Sequence, residues 1–427
     1  MTRIDITGFD DEPDDEHDDD FDADDFDADD LDEVGPESPQ DGGQAGSPDA
    51  PPSPAFRAWL AELPFPTPLE IVAGLREHGY RGQDAAVKSV ALAAHRHLRR
   101  LRHLYLDGVP RRQLPPKQNL LLIGPTGCGK TFLAETLFER VLAIPTTTVD
   151  ITAFSESGYI GEDVSTLVTR LLFASEGDLE KTRVGMICID EFDKLASSSN
   201  RAVFAGQGTT KDVSGFGVQR ELLKMFDGAT IPVPTHFSHE SYSSKPLVPT
   251  HDIAFVCCGA FSGLKSISQA KGRFGIGFGR DDGVIGGSES IAVTYDQAEV
   301  ENVVYFQEYG FLPELIGRFT RIVPFSPLDE ATLHQILEDN VLKGVRKELE
   351  LAGIELVVED AVAQLVVREA IQKETGARGL RARLALHLED ALFEAFSNKA
   401  SATVILEREG EQIRSRLAPT KKKSASR

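Results

Sequence analysis

Apolar residues along this chain follow two rhythms. Short unbroken apolar runs at 119–123, 185–190 and 253–258 read as strands buried on both faces. Around them, at 67–78, 83–106, 131–142, 163–174 and 217–226, apolar residues recur at helical spacing. Strand and helix patterns that alternate in this way predict an α/β fold, a doubly wound parallel sheet with helices on both faces. After Pro327 the texture changes. Helical patterns at 331–351, 361–374 and 380–396 outweigh strand-like runs at 355–358 and 403–407. A second, smaller, mostly helical (α+β) domain is expected there.

Residues 1–57 show neither rhythm. They are expected to form a disordered acidic tail, followed by a large domain at 58–326, a small one at 327–417 and a loose basic tail at 418–427. Composition sharpens this division. Residues 1–50 hold 21 of the 68 acidic residues and one, Arg3, of the 45 basic ones, leaving 47 acids and 44 bases elsewhere. The folded part is nearly neutral, which argues against a nucleic-acid binder by bulk charge. Phe9, Phe21, Phe26 and Leu31 interrupt the acidic run, so the tail reads either as a solvating segment or as a docking segment. Four cysteines, Cys128, Cys188, Cys257 and Cys258, have no metal-site spacing; no zinc is expected, and a reducing cytoplasmic setting fits. Neither a signal peptide nor a run long enough to span a membrane is visible.

The chemistry lies at strand ends. Gly124, Pro125, Thr126, Gly127, Cys128, Gly129, Lys130 and Thr131 match the P-loop pattern in full, after a strand and at the start of a helix. Glycines let several backbone N–H groups point at one anion, and the helix N-terminus adds partial positive charge. Lys130 is expected on the β- and γ-phosphates of ATP, and the Thr131 hydroxyl on Mg²⁺. The second strand run ends in Asp190 and Glu191. Asp190 is expected in the Mg²⁺ shell, with Glu191 orienting the attacking water.

These motifs occur in a specific order. Thr67-Pro-Leu-Glu-Ile, Gly82-Gln83, the P-loop, Gly158-Tyr159-Ile160-Gly161, the Asp190-Glu191 strand, 212–219, Gly259-Ala-Phe261 and Gly376-Ala-Arg378 follow one another. Over roughly 64–408 the chain resembles the ClpX family of AAA+ unfoldases. The resemblance implies a homohexameric ATPase that unfolds tagged or unfolded proteins and passes them to a ClpP-type peptidase. It implies an arginine finger at Arg318 offered to the neighbouring subunit, and a nucleotide-sensing Arg378 at the start of a second-domain helix. Tyr159, between Gly158 and Gly161 and beside Ile160, would grip substrate in the pore; 212–219 resembles a second pore loop. Ile276, Gly277 and Phe278 would dock on the peptidase.

The sequence also departs from that family. A zinc-binding N-terminal domain is replaced by the acidic segment, and 235–245 lacks the Arg-Lys-His loop that reads substrate tags. Tyr80 and Arg81 stand where two small apolar residues are usual, so Arg81 is expected to stack on the base. Other readings stay open: a remodelling chaperone without a peptidase, a nucleic-acid motor with a basic channel, or an inert ATP-binding scaffold.

Overall fold

The computed structural model describes residues 51–154, 162–196, 215–233, 246–272, 294–398 and 402–419. The large domain holds β1 (Leu120–Ile123), β2 (Thr146–Asp150), β3 (Met186–Asp190), a short antiparallel pair of β4 (Thr230–Pro232) and β5 (Leu247–Pro249), then β6 (Ala254–Gly259) and β7 (Arg321–Pro324). Five of them form one sheet in the order β2-β3-β6-β1-β7, with every neighbouring pair parallel.

Why the apolar runs become central strands is visible in their alternation. Side chains of a strand point to opposite faces in turn. In β1, Leu121 and Ile123 enter one core while Leu120 and Leu122 enter the other. Along β3 and β6, Ile187, Ile189, Phe255 and Cys257 join the first core, and Met186, Cys188, Val256 and Cys258 join the second. A sheet with two apolar faces needs helices on both, which is the doubly wound α/β arrangement. No described helix is long and apolar enough to cross a membrane.

Helix starts follow local chemistry. Thr67 and Glu70 form a reciprocal capping box ahead of helix Pro68–Glu77, with proline at its first position. Order begins earlier than the sequence patterns suggest. Ser53 caps helix Pro54–Glu62, and Phe56 and Leu60 are buried. The Ser53 amide and hydroxyl both donate to Glu180, fastening this segment to the body of the domain. The expected end of the acidic tail at 57 is therefore corrected: 54–57 are helical, and residues 1–50 lie outside the described residues.

The second domain packs helices Glu330–Ile336, Lys343–Leu351, Asp360–Gln372 and Gly376–Asn398 with β8 (Ile354–Val358), β9 (Ala402–Glu409) and β10 (Gln412–Pro419). Its own core includes Leu333, Leu337, Val366, Leu384, Leu388, Val404 and Leu406. β9 runs parallel to β8 and antiparallel to β10. The final strand expected at 403–407 is thus one arm of a hairpin, and the tail expected from 418 begins inside β10.

Two patterns that read as unbroken helices contain π-turns, Thr136–Val141 and Leu337–Leu342. The second carries Asn340, whose Nδ2 donates to Gly79 O at 2.8 Å, so it ties the two domains together. At the exit from the large domain, Phe325 N donates to Ile123 O at 2.7 Å. The link to the second domain therefore leaves from beside the end of β1.

Candidate functional site

β1 delivers the P-loop to the C-terminal edge of the sheet, where open α/β folds bind ligands. Gly127 and Gly129 take φ of +78° and +92°, which a side chain would oppose. At Gly127 space is lacking too: a Cβ there would stand 2.6 Å from Thr375 O. Lys130, at the start of the following helix, is buried and donates through Nζ to Gly124 O at 2.7 Å and Pro125 O at 3.0 Å. An ammonium held on backbone carbonyls inside the loop is poised for phosphate oxygens.

β3 brings the two carboxylates alongside. Thr131 Oγ1 donates to Asp190 Oδ2 at 2.8 Å, and Asp190 Oδ1 accepts from Glu191 N at 2.9 Å. A hydroxyl and a carboxylate are hard oxygens of the kind that Mg²⁺ takes. These residues fit that ion. Glu191 has φ of +54°, a left-handed conformation that is costly for a residue with a side chain and is typical of functional turns. Arg378, on the second-domain helix, brings Nη2 to 3.9 Å from Asp190 Oδ2.

Together these residues line a cavity of about 430 Å³ closed from the other side by Leu328, Ile336, Asn340, Val341 and Ala377. The second domain bonds directly to the loop through Ala377 N and Gly127 O at 3.1 Å. Arg81, expected to stack on the base, lines this cavity and has its donors engaged by protein groups. Its Nε donates to Asp339 Oδ2 at 2.8 Å, and Nη1 donates to Arg76 O and Tyr80 O. It clasps the two domains at the cavity rim. Beside it, the side-chain amide of Gln83 donates to Ser326 O at 2.6 Å and accepts from Ser326 N at 3.1 Å.

Tyr80 lies beneath the loop. It is buried and near-stacked on Phe132, its ring centroid 6.1 Å away, and its hydroxyl has no hydrogen-bond partner among the described residues. Burial pushes its pKa far above the ordinary tyrosine value. Asp193, given no role by sequence, is buried and accepts from Ala260 N at 3.0 Å. It pins the end of β6 to the turn after β3. In the sequence Asp193 only continues the acidic pair Asp190-Glu191, and nothing marks it as structural. The four cysteines are free and buried, and burial raises the Cys128 thiol.

Arg318 is not in this cavity. Its guanidinium pairs with both oxygens of Asp227, Nε at 2.6 Å and Nη2 at 3.1 Å. It lines a second cavity of about 430 Å³ together with Arg100, Arg111, Lys117 and His251. Behind that cavity, Asp252 Oδ1 accepts from Arg100 and Arg111, each at 2.5 Å, and Oδ2 accepts from the Tyr105 hydroxyl at 2.7 Å. Burial alone would raise the Asp252 carboxyl, but Arg100 and Arg111 hold it below the ordinary value. Lys117 donates to Met225 O and Thr250 O, and burial pushes its pKa down to about 7.

Gly158, Tyr159, Ile160, Gly161, Ile276, Gly277 and Phe278 lie outside the described residues, as do His236, His239 and Lys245. Of the segment 212–219, residues from Gly215 onward belong to helix Gly215–Asp227. Gln219 is buried, its side-chain amide donating to Leu195 O at 2.7 Å and accepting from Leu312 N at 2.8 Å, so this end serves the core.

Comparison with known proteins gives the family. Residues 115–322 match the AAA domain (Cdc48 subfamily), and 328–406 match the C-terminal, D2-small domain, of ClpB protein. The ATP-dependent Clp protease ATP-binding subunit ClpX of Treponema denticola is 33% identical over 80% of each chain. ClpX 3 of Methylococcus capsulatus is 33% identical over 78% of each chain, and ClpX of Porphyromonas gingivalis 33% over 80%. Identity at this level over about four fifths of the chain makes it an ATPase that belongs to the ClpX family.

Proposed function

We propose that the chain is the ATP-driven unfoldase subunit of a Clp-type protease, working as a homohexamer that threads unfolded or tagged proteins into a ClpP-type peptidase. The observation that carries this reading is the cavity between the domains, where Ala377 bonds to Gly127 and Arg378 approaches Asp190. Occupancy of that cavity is then coupled to the angle between domains, as a motor requires. The names of the relatives, all Clp protease ATP-binding subunits, support the same conclusion.

In this reading the P-loop amides and Lys130 bind the phosphates of ATP, and Thr131 and Asp190 would hold Mg²⁺, which would supply positive charge against the transferred group. Glu191 polarises the attacking water. Arg378 reports the nucleotide state to the second domain, and Arg318 offers positive charge to the nucleotide of the adjoining subunit. A finger acting in trans requires head-to-tail contacts that close into a ring. Tyr159 pushes the polymer along, and Ile276, Gly277 and Phe278 seat on the peptidase.

Co-sedimentation with the ClpP-type peptidase of the same organism, in a slowly hydrolysed ATP analogue, tests the reading. Binding that Phe278→Ala abolishes is the expected result. If neither protein binds, the chain is a remodeller that works without a peptidase.

A further inference from the structure

Among the described residues, the cavity that holds Arg318 shares no lining residue with the nucleotide cavity, and its charges do not cancel. Asp252, 2% exposed, carries one negative charge but takes two arginines on a single oxygen. Arg100, 5% exposed, suffices to balance it. Arg111 is 41% exposed and in surplus, so the carboxylate orients its guanidinium without neutralising it. Asp227 balances Arg318. Even with Lys117 counted as neutral, three guanidinium groups line a space of about 430 Å³, with the Asp227 carboxylate beside them and that of Asp252 behind the wall. A guanidinium held by one edge on an acid keeps its other donors for an anion with several oxygens, and phosphate fits that geometry.

We propose that Arg111 is a second inter-subunit phosphate ligand: with Arg318 it takes the terminal phosphates of the nucleotide seated in the neighbouring copy of this chain. The proposal rests on the trans reading of Arg318. Arg100, Tyr105 and Asp252 form its support, fixing Arg111 on the wall of the cavity that Arg318 lines. The pairing of Arg318 with Asp227 does the same for the first arginine.

Mixed assemblies decide the matter. Variants are co-expressed on two affinity tags, purified as mixed rings and assayed for phosphate release. Arg111→Ala alone is expected to lose at least about tenfold in kcat. Mixed with Glu191→Gln, turnover should rise several-fold above the mean of the parents, because an intact nucleotide site then meets an intact Arg111. The parallel mixture of Arg318→Ala with Glu191→Gln tests the trans reading itself. Recovery there, with none for Arg111→Ala, shows that Arg111 only supports its own fold and overturns the proposal; so does wild-type turnover by Arg111→Ala. Recovery in neither mixture removes both readings. A site for free phosphate would instead show as inhibition by millimolar inorganic phosphate that Arg111→Ala abolishes, without recovery in the mixture. Should Arg111→Ala fail to assemble on size exclusion, Arg111→Lys keeps the charge, loses the fork and faces the same outcomes.

Discussion

The amide of Ala377 donates to the carbonyl of Gly127 across 3.1 Å. One belongs to the phosphate loop, the other to the first turn of the second domain's last helix. Backbone is thus bonded to backbone at the wall of the nucleotide cavity. A loop that rearranges on binding phosphate acts on the second domain with no side chain in between.

Gly127→Ala puts this contact to the test. The new Cβ would meet Thr375 O at 2.6 Å and would oppose a φ of +78°. Strain of this kind costs about 1–3 kcal/mol. Isothermal titration with an ATP analogue is expected to show roughly tenfold weaker binding or worse. Unchanged affinity would mean that the loop and the second domain do not need this close approach.

Glu191→Gln keeps the shape of the side chain and removes its charge. Nucleotide binding should persist while phosphate release falls by about a hundredfold or more. Wild-type turnover by this variant would take water activation away from Glu191.

Asp252→Asn removes the acid on which Arg100, Arg111 and Tyr105 converge. Breaking a buried pair typically costs about 3–5 kcal/mol. The folded pKa of Asp252 lies below its ordinary value of 3.8, so its contribution is complete above the unfolded pKa and is lost as pH falls through the folded one. In urea titrations the gap between wild type and variant should be widest near neutrality and should shrink below about pH 4. A gap that is constant with pH would place the effect in packing, not charge.

Tyr80→Phe deletes a buried hydroxyl that has no partner among the described residues. Thermal melting is expected to show equal or slightly higher stability, by up to about 1 kcal/mol, since an unpaired polar group no longer has to be kept from water. Tyr80→Ala, by contrast, should cost about 3–5 kcal/mol by emptying the space against Phe132. A clear loss of stability in Tyr80→Phe would reveal a hydrogen bond made by that hydroxyl.

Tyr159→Ala addresses the grip on substrate. ATP hydrolysis should remain within about twofold of wild type while unfolding of a fluorescent reporter protein is lost. Persistent unfolding would move the grip to another residue.

Much of the site was legible in the sequence because its chemistry is contiguous. The P-loop residues and the Asp190-Glu191 pair each sit in one short stretch, next to apolar runs that announce their strands. Pairings between distant segments were not legible: Arg81 with Asp339, Arg318 with Asp227, and the arginines on Asp252. Charged residues look alike until the fold chooses their partners. β2 escaped notice because it is an edge strand of three threonines with only Val149 buried. β10 did so because its outward positions carry Arg414 and Arg416, paired with Glu409 and Glu407. The helix at Pro54–Glu62 was hidden by the polar, proline-rich segment before it.

The bond from Phe325 N to Ile123 O gives the molecule the proportions of a lever. The link between domains leaves within one residue of the P-loop, and the helix Gly376–Asn398 starts at the same loop. That helix has 23 residues, about 35 Å of length at about 1.5 Å per residue. A tilt of about 10° at the loop would carry its far end about 6 Å, roughly the pitch of an α-helical turn. The short arm would be the distance over which a phosphate group is bound or lost; the long arm would sweep a distance of about two residues of extended chain.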